Sequence, residues 1–154
     1  MATVAELLAR AGELREVAAS HRLDTELLLC KVLERGRAFL YAHAETELTA
    51  AQSTAFAALF ERRKGGEPMA YILGEREFWT LRLKVSPATL IPRPETELLV
   101  ELALALVAEP AARVLDLGTG SGAIALALAR ERPAWQVTGI DSSAAALAVA
   151  EANR

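Results

Sequence analysis

Seven consecutive residues, Asp116-Leu117-Gly118-Thr119-Gly120-Ser121-Gly122, restrict the possible folds of this chain more than any other stretch. They follow a short apolar run, Val114-Leu115, and precede apolar residues at helical spacing from 123 to 130. A strand that breaks into alternating glycines and then a helix is the opening of a βα unit. A second strand reads from Trp135 to Ile140 and ends on Asp141, and 143–152 again reads as helix. Strand, glycine loop, helix, strand, acid and helix together predict an α/β fold, the first βαβα part of a Rossmann-like parallel sheet.

The loop also limits the chemistry. Glycines at 118, 120 and 122 let the backbone turn sharply and approach a ligand without an intervening Cβ. The helix that follows presents unpaired amide N–H groups, which favour a carboxylate or phosphate. Asp141, twenty-three residues after Gly118, stands where an acid can accept hydrogen bonds from both hydroxyls of a ribose. A nucleoside-containing cofactor fits these parts. Gly118-x-Gly120-x-x-Ala123 also satisfies the dinucleotide fingerprint, so a nicotinamide dinucleotide stays open on spacing alone. Asp116 weighs against it, because a pyrophosphate would face a negative charge there. The positive sulfonium and ammonium of S-adenosylmethionine would find that acid favourable. Ser121 has no histidine downstream of His43 to activate it, so a Ser-His-acid triad cannot be assembled.

Upstream the periodicity is helical. Thr3 with Glu6 forms a capping-box pattern, and Val4, Leu7, Leu8, Ala11, Leu14, Val17 and Ala18 recur at helical spacing. Asp24 is expected to cap a second helix that stops at Gly36. A third helix is expected around 37–43 and a fourth from about 49 to 64, closed by Gly65-Gly66 and Pro68. Alternation at 79–85 predicts a strand, with Tyr71-Ile72-Leu73 as its hairpin partner. Pro87, Pro92 and Pro94 stiffen the next stretch, and Pro94 suits the first turn of a helix whose buried face would be Leu98, Leu99, Leu102 and Leu106. The expected organisation is a helical bundle at 1–69, a hairpin and extended linker at 70–92, and an α/β domain from 93 to 154.

Composition narrows the function classes. The chain is 53% hydrophobic and 24% charged, which suits a folded protein. It has no apolar run long enough for a membrane span and no basic, then apolar, leader, so the expectation is a cytoplasmic protein. Residues 1–84 carry twelve Lys/Arg and twelve Asp/Glu, and 85–154 carry five and eight, leaving no basic excess for a nucleic-acid partner. The basic run Arg62-Arg63-Lys64 falls at a predicted helix end, where cations suit the dipole. Cys30, the only cysteine, reads as a small buried hydrophobe, and no cluster predicts a metal site.

Four stretches carry a resemblance to one family. They are Glu67-Pro68-Met69-Ala70-Tyr71-Ile72-Leu73-Gly74, Arg76-Glu77-Phe78-Trp79, Val85-Ser86-Pro87-Ala88-Thr89-Leu90-Ile91-Pro92-Arg93-Pro94-Glu95-Thr96-Glu97, and the glycine loop continued to Ala125. From end to end the chain resembles the N-terminal portion of HemK-type protein-(glutamine-N5) methyltransferases, which modify peptide-chain release factors. The resemblance implies a helical domain for release-factor recognition, a hairpin hinge and the start of a methyltransferase domain that uses S-adenosylmethionine. It places the methionine part of the cofactor against Gly118, Thr119, Gly120, Ser121 and Gly122, beside Asp116, and its ribose on Asp141. Pro92, Arg93, Pro94 and Glu95 would flank and enclose that pocket. The substrate it implies is the glutamine of the Gly-Gly-Gln loop of release factors, and the expected state is a monomer.

The same family holds the substrate amide with an Asn-Pro-Pro-Tyr motif downstream of the loop. Asn153 is the only asparagine here and no Pro-Pro dipeptide occurs, so no residue of this chain is expected to be catalytic. By itself the chain would then be inactive, and residues 111–154 would be poorly stable. Three other classes remain in view: a nucleic-acid amino-group methyltransferase, a NAD-dependent oxidoreductase, and a non-catalytic protein-binding fragment.

Overall fold

The computed structural model describes residues 2–154, which form two compact units that divide between Leu73 and Gly74. In the first unit, helix α1 (Val4–Ala9) starts at the expected capping box. The Glu6 N–H donates to Thr3 Oγ1 at 3.2 Å and the Thr3 N–H to Glu6 Oε2 at 2.8 Å, satisfying two otherwise orphaned donors. The chain tightens into a 3₁₀ turn at Arg10–Leu14, so the stripe expected to run on through Val17 and Ala18 is not one continuous helix.

Helix α2 (His21–Leu33) corrects two expectations at once. It begins ahead of Asp24, which is therefore not its cap. Asp24 lies buried in the first turn, accepts from Ser20 Oγ at 2.9 Å and pairs with Arg63 at 2.7 Å. A long-range partner thus outweighs the local capping preference. The helix ends on Glu34 in the left-handed conformation (φ 53°), two residues before Gly36, and Gly36 is the N-cap of α3 (Arg37–Ala42). Helix α4 (Ala50–Lys64) has its own capping box from Thr49 and Gln52 and ends at Gly65. Its basic C-terminus is committed to structure. Arg62 pairs with Glu67 at 2.5 Å, Arg63 with Asp24, and Lys64 with Glu13 at 3.2 Å.

Residues Tyr71-Ile72-Leu73 are helical, as part of α5 (Met69–Leu73), not the expected strand. The Tyr71 and Ile72 N–H groups donate to the Pro68 carbonyl, which starts a turn that three apolar residues cannot reveal. Val4, Leu14, Leu28, Leu29, Leu40, Leu48, Phe56 and Phe60 form the core of this unit, and the Phe56 and Phe60 rings lie 5.4 Å apart. Cys30 packs at its margin, and burial pushes its thiol up, consistent with a spectator.

The second unit opens with a hairpin of β1 (Glu75–Phe78) and β2 (Leu81–Lys84). Trp79, expected at a strand start, instead occupies the two-residue turn with φ 56°. The strain of that left-handed residue is offset by two hydrogen bonds. Its N–H donates to Glu97 Oε1 and its indole N–H to Glu131 Oε1, both at 2.8 Å.

A 3₁₀ turn at Pro94–Thr96 leads into α6 (Glu97–Leu106). Its expected buried face is wrong. Leu98 and Leu99 are each 56% exposed and Leu106 is 77% exposed, while Val100 is fully buried with Ala103 and Leu104 beside it. The acids Glu97 and Glu101 lie one turn apart, so periodicity points to the face opposite them, and that face is the exposed one. The choice is made by packing on α7 (Ala123–Glu131), whose small Ala127 admits close approach.

Strands β3 (Arg113–Leu117) and β4 (Gln136–Ile140) pair in parallel, with Asp116 opposite Gly139 and Leu117 opposite Ile140. Helix α8 (Ala144–Asn153) follows, capped by Ser143. The βαβα order is as expected, and the fold is α/β. Only one side of the strand pair is packed, however. Val114 and Val137 join the core, and Leu117 on the other side is 71% exposed. Among the described residues no helix is long and apolar enough to cross a membrane, and no cluster of metal-ligating side chains occurs.

Candidate cofactor site

The glycine loop is held at both ends by the sheet it leaves. The N–H groups of Gly118 and Thr119 both donate to the Ile140 carbonyl, at 2.8 and 2.9 Å, which brings the loop beside the end of β4 and hence Asp141. Gly118, Gly120 and Gly122 all have φ between 57° and 83°, so side chains at these positions would be strained. The three differ in what surrounds them. A Cβ on Gly118 or Gly120 would point into open space, whereas one on Gly122 would lie 3.1 Å from Leu126. Gly122 thus serves helix packing, and the first two leave backbone open to a ligand. A fourth glycine also contributes. A Cβ on Gly139 would sit 2.7 Å from Thr119 Oγ1, so Gly139 is what lets the Thr119 side chain fold over the sheet.

Polar groups fix the rest of the loop. The Thr119 hydroxyl donates to Asp116 Oδ2 at 2.7 Å, occupying one of the two carboxylate oxygens. Gly120 N–H donates to Asp141 Oδ2 and Ser143 N–H to Asp141 Oδ1, each at 2.9 Å. These backbone donors, Ser143 first and then Gly120, hold the Asp141 carboxyl below its ordinary value, so it is ionised across the physiological range. Asp141 therefore does more than end a strand, because it ties the middle of the loop to the start of α8.

A cavity of about 120 Å³ opens over this arrangement. Pro92 and Arg93 line it from one side, and Asp116, Gly118, Thr119, Gly120 and Ser121 from the other. Seven of the eleven residues named from the sequence for this site thus share one cavity. Asp141 is joined to them through Gly120, and Gly122 lies at the back of the loop. Pro94 and Glu95 sit in the 3₁₀ turn just beyond the lining. Leu90 and Thr96, which also line the cavity, were not singled out in the sequence.

One residue without a sequence-level role proves to be a tie. Lys84 N–H donates to Asn153 Oδ1 at 2.7 Å, and Asn153 Nδ2 donates to the Lys84 and Ser121 carbonyls at 3.0 and 2.9 Å. Asn153 at the end of α8 thus joins strand β2 to the glycine loop. Its contacts are 69 and 32 residues away in sequence, and no local pattern announces them.

The chain matches known proteins along most of its length. Residues 6–74 match the family model described as the PrmC N-terminal domain, and residues 94–154 match the methyltransferase small domain. A release factor glutamine methyltransferase from Shigella dysenteriae is 54% identical over 138 residues, covering 90% of this chain and 50% of that protein. Proteins of the same name from Coxiella burnetii and Escherichia coli are each 53% identical, over 92% and 90% of this chain. The chain belongs to this family. It corresponds to the N-terminal portion and spans about half the length of the curated relatives it matches.

Proposed function

We propose that this chain supplies the cofactor-binding portion of an S-adenosylmethionine-dependent methyltransferase that acts on the side-chain amide of a glutamine in a peptide-chain release factor. The observation that carries the reading is the shared cavity, in which Pro92 and Arg93 from the family-specific stretch stand against Asp116 and the glycine loop.

The residues present fit the cofactor. Asp116 keeps a carboxylate oxygen for the ammonium, and Arg93, with no ion-pair partner among the described residues, suits the carboxylate of the same amino-acid end. The open backbone at Gly118 and Gly120 gives room for close approach, and Asp141, already anchored by two backbone amides, offers its remaining acceptor capacity to ribose hydroxyls. When bound, S-adenosylmethionine supplies a methyl group made electrophilic by its sulfonium. Catalysis in the family further requires the glutamine amide to be held so that its nitrogen lone pair is directed outward, which is positioning and electrostatic preorganisation. The Asn-Pro-Pro-Tyr motif implied for that task does not occur in this sequence, so the chain by itself is proposed to bind cofactor without transferring a methyl group.

Calorimetric titration of the chain with S-adenosylhomocysteine and, separately, NADH tests the reading. Binding of the first alone, weakened about tenfold or more by Asp141→Ala, is expected from the loss of charge-assisted hydrogen bonds. Binding of NADH alone, or of neither, would sink the proposal.

A further inference from the structure

The first unit carries a built surface that the cofactor site does not use. Two adjoining cavities, of about 430 and 400 Å³, share Arg22 and Tyr41 in their walls. The floor of the first is apolar and shallow, made by Ala5, Leu8, Ala9 and Ala11, and its rim carries the cations Arg15 and Arg22. The second adds Leu23 and Arg37. Among the described residues of this unit, the large hydrophobic side chains left exposed are Leu23, at 40%, and Tyr41, at 52%. Both fall in these walls. The unit's exposed apolar side chains and its cationic rim therefore coincide.

The charge of the groove is one-sided. The single carboxylate in either lining is Glu26, which is buried and already engaged. It accepts from Arg37 Nε at 2.6 Å and from the Tyr41 hydroxyl, with Arg22 3.5 Å away. Burial alone would push this carboxyl up, but the Tyr41 and Arg37 hydrogen bonds outweigh it and hold it down, so it stays ionised. Arg15 pairs with no carboxylate among the described residues, and Arg22, with 74% of its side chain exposed, keeps most of its donors free. Tyr41 and Arg37 are fixed from below before any partner arrives, which lowers the ordering cost of using them. Tyr and Arg in such settings are the residues that concentrate binding energy.

We propose that this face of α1, α2 and α3 is a docking groove for an acidic peptide segment carrying an apolar side chain, on a protein partner. The apolar side chain would rest on Tyr41, Leu23 and the alanine floor, and its flanking carboxylates would meet Arg15, Arg22 and Arg37. A nucleic acid fits less well. Residues 1–73 hold nine Lys/Arg against ten Asp/Glu, so the basic character is a local patch with no stripe along which a phosphate backbone could run. The proposal stands apart from the cofactor reading, because none of these residues belongs to the second unit.

Fluorescence anisotropy with the full chain tests it, using a labelled peptide, Glu-Asp-Leu-Phe-Asp-Glu, and a labelled short single-stranded RNA. Saturable binding of the peptide is expected, weakening with added salt. Arg15→Glu with Arg22→Glu should weaken it about tenfold or more, and Leu23→Ala several-fold. Arg76→Glu with Arg130→Glu, the same charge change on the second unit, should leave it within about twofold. Backbone amide shifts on titration should cluster around Arg22 and Tyr41. Absence of peptide binding, equal binding by the Arg15/Arg22 variant, shifts confined to the second unit, or RNA binding as tight as the peptide would each overturn the proposal. Leu23→Ala removes only an exposed side chain, so its result stands even if the charge-reversed variant loses structure.

Discussion

Of the large hydrophobic side chains exposed among the described residues, the first unit holds two and the second holds ten. Both units are assembled from short helices, and element length does not explain the contrast. In the first, five helices and their connections pack around Phe56, Phe60 and the leucines beside them. In the second, a pair of parallel strands is packed on one side, and Leu115, Leu117 and Ile140 remain at the surface with Leu98, Leu99, Leu102 and Leu106 of α6. Parallel strands normally have both faces covered. The difference shows that a glycine loop can be shaped by hydrogen bonds within a unit that leaves many large apolar side chains exposed.

Hydrogen exchange is the broadest way to break this comparison. Amides of α2 and α4 should exchange on the order of a hundredfold more slowly than those of β3 and β4, because the strand pair can open without exposing a closed core. Uniform strong protection would overturn the contrast. Single substitutions sharpen it. Phe60→Ala should cost about 3–5 kcal/mol in urea unfolding followed in the first unit, since it empties a fully buried site. Arg63→Ala should cost about 3 kcal/mol by leaving the buried Asp24 carboxylate without its partner.

Asn153→Ala should cost only about 1–2 kcal/mol, yet it should move the amide resonances of Lys84 and of residues 121 and 122, where its ties end. Leu106→Ser should change stability by less than about 0.5 kcal/mol, which would be impossible if its face were the buried one. The smallest effect concerns acid. Hydrogen bonds from Arg10 and Lys64 bring the Glu13 carboxyl down to about 2. A lowered folded-state value means that its contribution is present above the ordinary value of 4.5 and disappears as pH falls toward 2. Glu13→Gln should therefore flatten the melting temperature against pH in that window and nowhere above it.

The features legible in the sequence were those written in contiguous residues. The glycine loop, the acid after β4, the capping box at Thr3 and Glu6, and the Pro92-Arg93 stretch each rest on neighbours within a few positions. Features set by distant partners were not legible. Asp24 looks like a cap until Arg63, 39 residues away, claims it. Tyr71-Ile72-Leu73 is too short to separate helix from strand, and the Pro68 carbonyl decides it. Helix α6 carries Glu97 and Glu101 next to its buried face, so its periodicity points to the wrong side, and packing against Ala127 selects Val100. Asn153 shows no role until the hairpin and the loop are both in place.

Both tryptophans, Trp79 in the hairpin turn and Trp135 before β4, lie in the second unit, whereas the first unit carries both tyrosines, Tyr41 and Tyr71. The chain is therefore optically partitioned by its own residues. Excitation at the red edge of indole absorption reports on the second unit alone, with Trp79 sensing the Glu131 carboxylate through its ring N–H. Tyrosine emission, or far-ultraviolet dichroism dominated by the helices, follows the first. One unlabelled sample, heated once, should separate the two halves of the molecule by colour.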